Sequence, residues 1–103
     1  MTVTVRDDPG RLRYEVREDD VVRGFVTYRL RDGVIDFLHA EVDPAHEGKG
    51  LAGQLVSHAL DDARSRGLEV LPHCPYVRHY IDGHRDAYLD LVPPDRRAEF
   101  GWT

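Results

Sequence analysis

The seven residues Glu47 to Gly53, EGKGLAG, set three glycines around the only lysine of the chain, just before a run with helical spacing. Side chains this small suit a backbone that something must approach closely. At a helix N-terminus that something is an anion, because the first N–H groups have no intrahelical partners and the macrodipole is positive there. The plain alternative is a glycine-rich turn that only joins strand to helix. Gly48, Gly50 and Gly53 also spell the dinucleotide fingerprint G-x-G-x-x-G, but its context is missing. Five residues separate Val42 from Gly48, three antiparallel strands come first, and Glu69 stands at the start of the next strand, not its end. A Walker loop fails because Gly50 follows Lys49 where Ser or Thr is required. Of 14 basic residues 13 are arginine, so Lys49 is either the remainder of a compositional bias or a compact ammonium kept beside phosphate.

Other side chains could move protons. His39 and Glu41 lie two apart near the end of FLHAEV, so strand alternation sends both from one face, shared with Ile35 and Phe37. Glu41 would need burial to act as a base near neutrality, whereas a histidine needs little adjustment. His39 is equally a hydrogen-bonded core histidine. The lone Cys74 is either an ordinary buried cysteine or a thiol activated by the helix that begins after Pro75. Tyr76 and Tyr80 on that helix are packing residues or proton donors. His73, Cys74, His79 and His84 have no recognised zinc spacing, and no metal site is expected. Asp61, Asp62, Arg64 and Arg66 read as a solvated helix face.

These groups need elements to hold them. Residues 11–17, RLRYEVR, alternate as a strand with one wet face, EDD turns the chain, and VVRGFVTYRLR at 21–31 and VIDFLHAEV at 34–42 continue an antiparallel meander through the turn RDG. Apolar positions Ala52, Leu55, Val56, Ala59, Leu60 and Ala63 mark a helix that Gly67 ends. LEVLPHC at 68–74 is a short buried strand, parallel to the third strand after the helical crossover. PYVRHYIDGH makes a second helix with Pro75 in its first turn. A last short strand is expected around Tyr88 to Val92, then a weakly ordered tail from 93 to 103. The fold class is α+β, and 103 residues suffice for one domain with its core at about 11–92.

A net charge of −5 argues against nucleic acid and suits a cationic substrate. No signal peptide or apolar membrane span is visible, and one cysteine fits a reducing compartment, so a soluble cytoplasmic protein is expected. Oligomeric state is not set by the sequence.

The strand FLHAEVDP, the loop EGKGLAG, an amphipathic helix and the strand LEVLPHCPY together resemble the acetyl-CoA-binding core of the GNAT N-acetyltransferase superfamily, specifically its short single-domain members of the YjdJ type. The resemblance spans roughly Leu12 to Val92. The superfamily loop pattern Q/R-x-x-G-x-G/A falls on Glu47, Gly50 and Ala52, with Glu47 departing from the usual Gln or Arg. It implies acetyl-CoA as donor, bound by Val42, the loop Glu47, Gly48, Lys49, Gly50, Leu51, Ala52 and Gly53, and by Cys74 and Tyr80, with the pantetheine arm between two splayed parallel strands. Acetyl transfer to an amine requires amine deprotonation, carbonyl polarisation and protonation of the CoA thiolate. His39, Glu41, Cys74 and Tyr76 are the candidates for these tasks. The acceptor is an amine of a small molecule or a protein, and the alternative function is a module that holds CoA or acyl-CoA without turnover.

Overall fold

The structure is a computed structural model and describes residues 2–102. Five strands form one sheet in the order in which they occur in the chain: β1 (Val3–Asp8), β2 (Arg13–Glu18), β3 (Val21–Arg31), β4 (Val34–Val42) and β5 (Glu69–Pro72). The first four are antiparallel neighbours, and β5 runs parallel to β4. This is the α+β arrangement expected, with β1 as an addition. Both tight hairpins turn on residues in the left-handed region, Asp19–Asp20 and Asp32–Gly33, as type I′ geometry requires.

The crossover helix α1 (Leu51–Ser65) buries Leu55, Val56, Ala59, Leu60 and Ala63 against the sheet face that carries Tyr14, Val16, Val26 and Tyr28. Each large apolar side chain so buried contributes about 1.5–3 kcal/mol. Polar links fix the far end of the helix. Tyr14 donates to Asp62 and Arg66 Nη1 donates to the Tyr14 hydroxyl (3.4 Å), while within the sheet Tyr28 donates to Asp7 (2.5 Å). Burial first, and then the neighbouring carboxylates, push both phenols well above their usual range.

The chain continues through α2 (Pro75–Gly83) and the single turn α3 (Arg85–Tyr88), so the strand expected around Tyr88 to Val92 is absent and short helical turns stand there. The expected loose tail is also overturned. Residues Pro94–Phe100 form 3-10 turns, Phe100 and Trp102 are buried, and the Trp102 indole donates to Asp82 (3.0 Å). Two aromatic side chains are enough to dock so short a segment.

One irregularity decides which face the end of β4 presents. Tyr28 pairs with Phe37 but Thr27 pairs with His39, which leaves Leu38 as an extra residue, a bulge in β4. Val26 and Tyr28 face the core, so Phe25, Thr27 and Arg29 occupy the other face of β3. Their partners Glu41, His39 and Asp36 stand on that face with them. His39 and Glu41 are therefore on the opposite side from Ile35 and Phe37, contrary to strict alternation, because the bulge reverses the parity of the strand.

Candidate functional site

The pairing of β4 with β5 covers only Val34 to Phe37. Past it the Cys74 N–H donates to the Phe37 carbonyl (2.7 Å), and α2 then leads the chain away. From Leu38 to Val42 one edge of β4 has no strand against it among the described residues. A notch results, opening on both faces of the sheet, and it belongs to a cleft of about 1090 Å³.

One end of the cleft is the start of α1. Pro44–His46 is a 3-10 turn closed on itself, with the Asp43 carboxylate accepting from the Ala45 N–H (3.0 Å) and the Asp43 carbonyl from the His46 N–H (2.9 Å). Gly48 and Gly50 follow with φ of +86° and +75°. Nothing lies within 4 Å of a β-carbon built at either, so it is backbone conformation, not crowding, that calls for glycine. Gly50 caps α1, and the first amide bonded back within the helix is that of Gln54, to the Gly50 carbonyl (3.1 Å). The N–H groups of Leu51, Ala52 and Gly53 are thus left for another acceptor.

Among the expected cofactor positions, Val42, Glu47, Gly48, Gly50, Leu51, Ala52 and Gly53 line the cleft. Lys49 turns away: its Nζ lies 2.9 Å from His46 Nδ1 and 3.6 Å from the buried Glu18 carboxylate. Glu18 also has Arg23 Nε at 3.6 Å and His46 Nδ1 at 3.7 Å, so it ties the loop to the end of β2. Tyr80 packs beside the helix start, 3.9 Å from a β-carbon built on Gly53, and stacks on His84. Cys74 is 1% exposed and sits at the head of α2 within the core.

Among the expected catalytic positions, Tyr76 is half exposed and lines the cleft, as does Glu41. His39 Nε2 is 3.2 Å from Glu41, and both side chains are more than half exposed. Beside them stand groups that the sequence alone did not single out. Phe25 meets His39 edge-on, and the Arg13 guanidinium lies 4.7 Å over the Phe25 ring. Arg13 and Arg17 both grip the buried Glu15, each at 2.7 Å. Burial pulls Glu15 upward, but the hydrogen bonds from Arg17 and Arg13 outweigh it and hold the carboxyl below its usual range.

Residues 13–91, which include the bulged strand and the glycine-capped crossover helix, match a family model described as GCN5-related N-acetyl-transferase. The chain belongs to that family. Among curated proteins, the one called Protein NATD1 is 31% identical over 62 residues in both mouse and human, covering 59% of this chain. The chain spans only 56% and 55% of the length of these two relatives. An NMR solution structure of a GCN5-like protein from Staphylococcus aureus superposes with a TM-score of 0.65 at 20% identity, over 87% of each chain. GCN5-related acetyltransferases draw acetyl groups from acetyl-CoA for amine acceptors, and in this member no described helix is long and apolar enough to cross a membrane.

Proposed function

We propose that the protein is an acetyl-CoA-dependent N-acetyltransferase whose acceptor is an amine of a small molecule or protein. The observation that carries this reading is the continuity of the cleft, from the free amides at the start of α1, along the unpaired edge of β4, to Tyr76 at the notch. The amides of Leu51, Ala52 and Gly53 would hold the CoA pyrophosphate. The β4 edge offers backbone groups to the pantetheine amides. On the far face the exposed Glu41 would bind the acceptor's ammonium, His39 beside it would take the first proton, and Tyr76 would protonate the departing thiolate. The charge of −5 favours a cationic amine. Cys74 fills the root of the notch, where its main-chain amide joins α2 to β4.

A second reading, a module that holds CoA without turnover, is favoured by the open setting of His39 and Glu41, with side chains 61% and 63% exposed. Two measurements separate the readings. Titration calorimetry is expected to give much tighter binding for CoA than for pantetheine, and equal affinities would overturn the phosphate site. Incubation with acetyl-CoA and a panel of amines is expected to give CoA and acetylated amine in equal amounts, whereas binding without product would leave the module.

A further inference from the structure

The face of the sheet that bears His39 and Glu41 carries a second histidine–carboxylate pair. Asp36 is 8% exposed, and its Oδ1 lies 2.6 Å from His73 Nδ1. Arg29 approaches the same carboxylate at 3.7 Å. The His73 side chain remains 43% exposed, so the ring is held at one nitrogen and still reached by solvent. Its main chain is fixed as well, since Arg78 donates to the His73 carbonyl (3.1 Å), and Phe100 lies edge-on to the ring at 5.1 Å. Two further charges that bear on the pair come from the C-terminal segment, Arg96 and Glu99, and these are bonded to each other.

Position gives the pair its significance. Asp36 precedes Phe37, whose carbonyl takes the last main-chain bond from the β5 side, and His73 precedes Cys74, which donates that bond. The two residues therefore stand one position before the root of the notch, outside the wider part of the cleft. His39 and Glu41 lie just past the bulge on the same face. Of the two pairs, His39–Glu41 is open on both partners, whereas His73 is oriented by a buried carboxylate. A buried carboxylate accepting from Nδ1–H fixes the tautomer with its lone pair on Nε2, the form that accepts a proton.

We propose that His73 is a further catalytic residue of the acetyl transfer and that Asp36 is its positioning residue. The inference rests on the acetyltransferase reading. Once the His39–Glu41 pair has converted the ammonium to a free amine, the nitrogen lone pair attacks the thioester carbonyl and a C–N bond forms. The proton that nitrogen then sheds passes to His73 Nε2. The C–S bond breaks with its electron pair going to sulfur, and Tyr76 protonates the thiolate. The histidinium returns its proton to the tyrosinate through water, so amine and acetyl-CoA give amide and CoA with no net proton at this stage.

The test uses the full chain and three observables. Turnover of acetyl-CoA against an active amine is expected to fall by about 10² to 10⁴ in His73→Gln, with CoA affinity by calorimetry unchanged. Asp36→Asn is expected to lower kcat and to move the acidic limb of kcat/KM against pH, which a purely structural tie would leave in place. Free imidazole is expected to restore part of the rate in His73→Ala. Independently of any acceptor, the ring nitrogens of His73 observed by NMR are expected to respond to acetyl-CoA but not to adenosine 3′,5′-bisphosphate, which lacks the pantetheine arm. Turnover and pH profile unchanged in His73→Gln, or a ring indifferent to acetyl-CoA in a protein that binds it, overturns the assignment and leaves the acetyltransferase reading standing. Absence of CoA binding by the unaltered protein removes both.

Discussion

A side chain at position 50 meets two obstacles that one at position 49 does not. The φ of +75° penalises any β-carbon by roughly 1–2 kcal/mol, and a branched group would stand beside the amides of Leu51 and Ala52. Lys49, by contrast, spends its ammonium on His46 and Glu18, so its loss removes only a partly exposed contact, about 0.2–1 kcal/mol. Gly50→Val is therefore expected to weaken CoA binding by more than about tenfold, and Lys49→Ala by much less, as read by titration calorimetry. Glu15 supplies a pH prediction. Its folded pKa is depressed, so its stabilisation is complete above the ordinary value of 4.5 and is lost as pH falls through the lower folded value. Glu15→Gln is expected to cost about 1.5–3 kcal/mol at neutral pH in urea unfolding, with the gap to the unaltered protein closing below pH 4.5. At this scale the loop was legible because glycine declares its own backbone freedom. Glu15, Glu18, Asp36 and Arg13 were not, since a charged residue in an alternating strand reads as solvated until its partner across the sheet is known.

The elements were largely readable, because alternation and helical spacing report directly on which face is buried. What escaped was the bulge. Leu38 carries no signature in FLHAEV, yet it moves His39 and Glu41 to the face opposite Phe37. Register depends on the partner strand, which local sequence does not contain. Gly24 is the matching device on β3. A β-carbon there would lie 2.8 Å from the Glu41 carbonyl oxygen and 3.1 Å from Val42 Cγ2, too close for either strand to remain in place. Gly24→Ala is expected to cost about 1–3 kcal/mol through this overpacking and to push the end of β4 outward. Since that end borders the cleft, the urea midpoint and CoA affinity should fall together. A fall in stability with full affinity retained would show that β4 moves as a unit with the loop.

For the whole molecule the C-terminal segment matters most, because it closes over residues far from it in sequence. Trp102→Ala is expected to cost about 3–5 kcal/mol, the range for emptying a buried aromatic site. As Trp102 is the only tryptophan, the emission of the unaltered protein should be blue-shifted when folded and should report the global transition directly. The segment escaped sequence analysis because two aromatics separated by Gly101 have no periodicity, and their sites on His73 and Asp82 come from other elements. The order of the sheet has a kinetic consequence. Every strand pairs only with its neighbours along the chain, so the first four close through tight turns, at little loop entropy, before anything downstream is needed. During synthesis the meander can form while α1 is still in the ribosome. The notch cannot, for its second wall is β5 and α2. A nascent chain thus acquires the face of His39 and Glu41 first and the notch last, and whatever ligand the cleft takes must wait until α2 has emerged.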